Sequence, residues 1–203
     1  AARLRQGLGQ STLAVRAAKL ALRSNTLLPR IGYPVLSDPA PMSIEPALAH
    51  AVARQESEFN PTAVSHASAR GLMQLLPRTA RKVAKSLRLR YRQDRLFDPR
   101  YNMRLGAAYL GQLIKAYRGS YIMALAAYNA GPKRVNRWRR QNGDPRRGDI
   151  DPIDWVEAIS ISETRNYVQR VMENLQVYRW RFNPQSAKLT LNQDLHRTSI
   201  RRK

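Results

Sequence analysis

Carboxylates are scarce in this chain: Asp and Glu together number 14, against 36 Lys and Arg. A glutamate inside an otherwise apolar segment is therefore informative. Glu56 and Glu58 are such residues, at the end of a predicted helix and just before Phe59 and an apolar run, Gly71 to Pro77. A carboxyl held against apolar neighbours resists ionising, because desolvation penalises the charged form. A group of that kind can stay protonated near neutral pH and act as a general acid. On an ideal helical wheel Glu56 falls at the edge of the apolar stripe and Glu58 nearer its centre. Helix fraying before Pro61 blurs that projection, so the wheel does not choose between them. The plain alternative for either is a solvated glutamate at a helix end.

Other chemistries find little support. His50, His66 and His196 are far apart and lack metal-ligand spacing, so no metal is expected. His50 lies off the apolar stripe of its helix and is expected at the surface. No glycine-rich phosphate loop or nucleophile elbow is present, and no cofactor is expected. The absence of cysteine excludes zinc–thiolate sites, iron–sulfur clusters and thiol catalysis. It identifies no compartment, though it is compatible with an oxidising periplasm.

A net charge of +22 favours polyanionic partners: nucleic acid, anionic lipid, or a cell wall carrying peptide carboxylates. The clusters Arg88, Arg90, Arg92, Arg95 and Lys133, Arg134, Arg137, Arg139, Arg140 lie in or beside helical patterns and read as solvated basic faces. No apolar run approaches the ~20 residues of a membrane span. No signal-peptide pattern opens the chain, so an exported protein would have lost its targeting segment, and the chain is expected to be a fragment.

The elements that must position these groups are helical, with no convincing alternating strand. A short basic helix is predicted over 11–23. Pro29, Gly32, Pro34, Pro39 and Pro41 interrupt it and mark a linker. A second helix starts near Ser43, a good N-cap, tolerates Pro46 in its first turn and is ended by Pro61. Others are expected from Arg78, over Tyr101–Tyr117 with Gly119 closing it, over Tyr121–Ala130, and onward to about Arg140. A polar loop reaches Pro152. Ser160 and Glu163 stand at capping-box spacing before the stripe Tyr167, Val168, Val171, Leu175, Tyr178. The 203 residues divide into a remnant and linker (1–42), a main domain (43–183) and a polar basic tail (184–203) expected to be loosely packed.

Four blocks stand in a recognisable order: Glu56-Ser57 before Phe59-Asn60-Pro61; Gly71-Leu72-Met73-Gln74; Ala127-Tyr128-Asn129-Ala130-Gly131; and Glu163-Thr164-Arg165-Asn166-Tyr167-Val168. Together, over about residues 43–182, they resemble the catalytic domain of soluble lytic transglycosylases. The resemblance implies an all-α, lysozyme-like fold with a glycan groove and a short N-terminal helical appendage. It also implies a lytic activity on peptidoglycan. Glu56 matches the family's single catalytic acid, which selects it over Glu58. Ser65 matches a serine near the N-acetyl group of the reacting muramic acid. Gln74 and Tyr128 match residues around the scissile bond, and Glu163 a carboxylate facing the same sugar. Glu163 could equally serve as a capping-box residue, and Asn129 could bond the turn at Gly131-Pro132. Ser68 stands where the family commonly has glycine, and Leu76 where methionine is frequent.

The implied reaction cleaves the bond between MurNAc and GlcNAc without water, leaving a 1,6-anhydroMurNAc end. The expected partner is the anionic sacculus in the periplasm, with no nucleic acid and no transmembrane segment. Three alternatives differ in class. A goose-type lysozyme would hydrolyse the same bond. A nucleic-acid module would treat Ala63–Lys85 as helix-turn-helix but would leave the other blocks unexplained. A binding-only wall module would have no use for Glu56.

Overall fold

The computed structural model describes residues 2–36, 41–185 and 187–199, with side chains from residue 9 onward. Residues 37–40 of the proline-rich linker and 200–203 of the tail lie outside the described residues. The elements are α1 (Ala2–Arg23), α2 (Pro29–Gly32), α3 (Pro46–Ser57), α4 (Pro77–Ser86), a 3-10 turn (Asp94–Phe97), α5 (Pro99–Ala116), α6 (Tyr121–Ala130), α7 (Pro132–Asn142), α8 (Pro152–Glu157), α9 (Ser162–Phe182) and α10 (Leu191–Leu195). The fold is all-α, as the periodicity predicts, and isolated bridges at Val64–Arg70 and Arg70–Leu75 are its β pairings among the described residues. The chain forms two compact units, residues 1–109 with 177–187, and residues 110–176 with 188–203.

The first unit is built on α3. Expected to be amphipathic, this helix is instead buried all round from Ala47 to Ala53. His50, expected at the surface, is fully buried. Its ring packs 5.0 Å from Phe182, 5.5 Å from Tyr178 and 6.0 Å from Phe59, so aromatics of α9 cover the side that the wheel assigned to solvent. The imidazole Nδ1–H donates to the Pro46 carbonyl at 2.8 Å, and Nε2 accepts the Leu36 N–H at 3.2 Å. Both nitrogens are occupied only in the neutral form. Burial drives the His50 pKa from 6.5 down to about 4, against a smaller opposing pull from the Pro46 carbonyl.

Ser43 does not cap α3. Glu45 occupies the N-cap position without a side-chain cap, and the Ser43 hydroxyl donates to the Ala107 carbonyl at 3.3 Å. The Glu45 carboxylate is instead held in a fork by Arg179, with Nε to Oε2 at 2.9 Å and the second nitrogen to Oε1 at 2.8 Å. The linker contributes α2 to this unit. The Arg54 guanidinium donates to the Gly32 carbonyl at 2.8 Å and stacks 4.1 Å from the Tyr33 ring centroid.

The second unit centres on α6, whose residues Tyr121–Ala127 are all buried. The Ser120 hydroxyl caps it by accepting the Met123 N–H at 3.4 Å. Tyr167, Val168, Val171 and Leu175 of α9 are buried, as their spacing predicts. The capping box does not form: α9 starts at Ser162, and the Ser160 hydroxyl accepts the Trp138 indole N–H at 3.0 Å. Among the described tail residues, α10 packs against α9. Asp194 of α10 is buried, and Gln176 donates to its Oδ2 at 2.8 Å while accepting the Thr190 N–H at 3.0 Å.

Candidate active site

Within the first unit, the end of α3 sets the geometry. The helix stops at Ser57, ahead of Pro61, because Glu58 takes the left-handed conformation at φ 53° and Phe59 follows at 63°. Such a residue normally is glycine, and side chains there cost roughly 1–2 kcal/mol each. Two contacts offset that cost. Phe59 is fully buried, and the Glu58 carboxylate is gripped from α1 by Arg16 at 2.9 Å and by Lys19. Burial pushes the Glu58 carboxyl upward, but hydrogen bonds and charge from Lys19 and Arg16 outweigh it and hold the group below 4.5. Glu58 is thus an ion-paired carboxylate and not the poorly ionised acid that its wheel position allowed. Glu56 sits in the last turn of α3, half-buried.

The next residue, Ser57, joins two of the motif blocks. Its hydroxyl donates to the Leu72 carbonyl at 2.8 Å, which ties the α3 terminus to the Gly71–Gln74 turn. That turn is closed by paired backbone bonds between Arg70 and Leu75, at 3.0 and 3.1 Å. Gly71 has φ 77°, and a Cβ on it would lie 2.2 Å from the Leu96 carbonyl oxygen and 2.3 Å from the Asn102 amide nitrogen. Gly106 of α5 similarly admits Met73, whose sulfur would lie 2.4 Å from an added Cβ.

Gln74, in this turn, and Ser65 both bond to the loop that precedes it. The Gln74 amide donates to the Ala63 and Gly71 carbonyls, at 3.1 and 2.9 Å. Its donors are therefore spent on the loop, and Oε1 is the atom left for a ligand. The exposed Ser65 accepts the Ala69 N–H at 3.1 Å on its hydroxyl, which keeps its own proton to donate. Ser68 holds φ 62°, a left-handed backbone conformation that glycine adopts without strain.

Asn102 is a positioning residue that the sequence reading missed. It is fully buried on α5. Its Oδ1 accepts the Met73 N–H at 2.8 Å, and its amide donates to the Arg70 and Leu96 carbonyls, each at 2.8 Å. The available signal was an asparagine inside the apolar face of a predicted helix, where a polar group must find partners.

Within the second unit, the other two blocks also meet. Tyr128 is half-buried in the last turn of α6, and Glu163 is exposed in the first turn of α9. The Thr164 hydroxyl donates to Asn129 Oδ1 at 2.6 Å, joining the two helix ends. Asn129 thus bonds across to α9 and not to the turn after it. Among the described residues, no group of His, Asp or Glu is arranged to hold a metal ion. No helix of the described chain is long and apolar enough to cross a membrane.

Comparison with known proteins gives these blocks a context. The Transglycosylase SLT domain family matches residues 40–150, more than half of the chain. The soluble lytic murein transglycosylase of Salmonella typhimurium is 40% identical over 138 residues, covering 67% of this chain and 21% of that protein. The 70 kDa soluble lytic transglycosylase of Escherichia coli superposes with a TM-score of 0.77 at 29% identity, over 97% of this chain and 32% of that one. A lytic transglycosylase from Pseudomonas aeruginosa, crystallised as an inactive Glu-to-Gln mutant, is 35% identical with a TM-score of 0.63, over 71% of this chain and 23% of that one. The chain spans between about a fifth and a quarter of the length of the soluble lytic murein transglycosylases it matches. On its residues, its helices and these matches, the chain belongs to the transglycosylase SLT family and has that family's lysozyme-like all-α fold.

Proposed function

We propose that this chain is a lytic transglycosylase domain that cleaves the MurNAc–GlcNAc bond of peptidoglycan, with Glu56 as its single acid and base. One observation carries the choice of residue. Glu56, the residue that matches the family's catalytic acid, sits half-buried in the last turn of α3, next to Ser57, whose hydroxyl ties that turn to the Gly71–Gln74 segment. A Glu-to-Gln exchange is what inactivates the Pseudomonas aeruginosa relative.

In this mechanism the Glu56 carboxyl protonates the oxygen leaving C1 of MurNAc, and the C1–O bond breaks. The substrate's N-acetyl oxygen stabilises the positive charge at C1, oriented by the free proton of the Ser65 hydroxyl. The Glu56 carboxylate then takes the proton of the C6 hydroxyl, whose oxygen bonds to C1. The proton given at the start is recovered, no water is consumed, and a 1,6-anhydro ring closes. The attacking group is already tethered to the sugar, so little entropy remains to be lost. Gln74 would accept from a sugar hydroxyl or amide through Oε1.

Residues 43–183 would form the catalytic domain, 1–42 and 184–203 its appendages, and the periplasm its place of action. The +22 charge would hold the enzyme on the anionic sacculus. Mass analysis of muropeptides released from purified sacculi tests the reading. Products should carry anhydro ends, one water lighter than hydrolysed ends, and Glu56→Gln should release none while still folding. Hydrolysed ends would instead make the domain a goose-type lysozyme, and full activity of Glu56→Gln would remove Glu56 from the mechanism.

A further inference from the structure

The second unit holds a basic cavity that the glycan chemistry does not use. It encloses about 640 Å³ and is lined by Arg118, Arg139, Arg146 and Arg147, with Tyr117 and Asn136 as neutral groups. That volume lies within the usual range for small-molecule sites. Four arginines from three segments line it: one just after α5, one on α7 and two in the loop after α7.

Part of this charge is built in and fixed. Arg146 and Asp144 are both buried, their side chains 9% and 7% exposed. The pair is bidentate, with Nε to Oδ1 at 2.8 Å and the terminal nitrogen to Oδ2 at 2.6 Å. Asp144 Oδ1 also accepts the Arg146 N–H at 3.1 Å. A second guanidinium, from Arg139, reaches the same carboxylate only at 3.6 Å, and its buried Nε–H has no hydrogen-bond partner among the described residues. An unmet buried donor costs about 1–3 kcal/mol. Arg118 is held by its backbone, whose carbonyl accepts the Ser199 N–H at 2.6 Å and the Ser199 hydroxyl at 3.0 Å. Asp149 Oδ2 accepts the Asp144 N–H at 3.1 Å. The lining holds four arginines and no carboxylate, and Asp144, paired to Arg146 and weakly to Arg139, leaves the cavity strongly positive.

Asp144 shows what one planar carboxylate can satisfy: a single guanidinium fork and a weak second contact. A tetrahedral phosphoryl group presents its oxygens in several directions and accepts from guanidiniums that approach from different sides. We propose that this cavity binds an anion bearing adjacent phosphoryl groups, of the diphosphate class, with Arg118, Arg139 and Arg147 as its donors and the Asp144–Arg146 pair as their fixed floor. This site is independent of the glycan reaction, and neither reading depends on the other.

Calorimetric titration of the whole chain with inorganic diphosphate, at constant ionic strength, tests the proposal. One saturable site is expected, weakened about tenfold by Arg118→Gln and again by Arg139→Gln, the loss of one charge-assisted contact each. Arg137→Gln, on α7 but outside the cavity lining, should leave binding unchanged. Arg118 is exposed, so its substitution leaves the fold intact if Arg139→Gln should not. Retention on vesicles of phosphatidic acid, lost in the same variants, would mark a lipid headgroup as the source. Diphosphate binding without such retention would mark a soluble ligand. The proposal is overturned if no saturable binding occurs, if Arg137→Gln weakens it as much as Arg118→Gln, or if citrate binds equally well.

Discussion

Replacing His50 with glutamine should flatten the dependence of stability on mildly acidic pH. In the folded chain the imidazole is neutral, with its pKa lowered to about 4 from 6.5 by burial. In the unfolded chain it recovers its ordinary value and takes up a proton below it. The unfolded state therefore binds more protons between these two values, and stability must fall as pH falls through that window. Each unit of difference is worth about 1.4 kcal/mol, so the full effect is about 3 kcal/mol, of which about 2 kcal/mol is lost between about pH 7.5 and about pH 5. Glu58 and Asp144 also have lowered pKa values, against ordinary values of 4.5 and 3.8. Their stabilising contributions persist above those values and disappear only in stronger acid, so they do not confuse the measurement. Urea unfolding followed by circular dichroism at a series of pH values gives both curves. His50→Gln should start less stable, having lost the ring contacts, yet lose about 2 kcal/mol less over that interval. Parallel curves for the two proteins would refute the assignment of a buried neutral imidazole.

Three further perturbations follow from the site. Gly71→Ala drives a Cβ into the Leu96 carbonyl and the Asn102 amide at a positive φ; it should cost about 3 kcal/mol in urea unfolding. Glu58→Gln removes both ion pairs to α1. These are partly exposed and screened, so the loss should be about 1 kcal/mol, and trypsin should cut sooner after Arg16 and Lys19. Thr164→Val and Asn129→Ala should each cost about 1 kcal/mol, and the double variant about as much as either alone, because both delete the same bond. Additive losses would show that the two side chains act separately.

The long helices were legible because their apolar residues recur at helical spacing. Leu105, Leu110, Leu113 and Tyr117 announce α5, and the glycine and proline punctuation after α6 marks its end. The short helices α2, α8 and α10 were not, since four to six residues carry too little periodicity to separate them from loop. His50 was misplaced for a different reason. A wheel assumes one solvated side, and α3 has none over its middle, because aromatics far along the chain close over it. Ser43 and Ser160 had the right chemistry for caps, but tertiary partners, Ala107 and Trp138, claimed their hydroxyls. The site blocks were visible as motifs. Their pairing was not, because the Ser57–Leu72 and Asn129–Thr164 bonds join segments that sequence spacing alone cannot bring together.

Asn102 shows how far one side chain can be specified by valence alone. Three backbone groups from two segments, the turn around Arg70 and Met73 and the 3-10 turn at Leu96, converge on its carboxamide, which must give two protons and take one. Aspartate has the right shape but nothing to give. Glutamine has the right atoms one carbon too far out, and leucine has the volume without either. Asparagine thus matches all three demands at this position for reasons wholly internal to the fold. Invariance there among relatives would record the arithmetic of a turn, and would say nothing of contact with sugar.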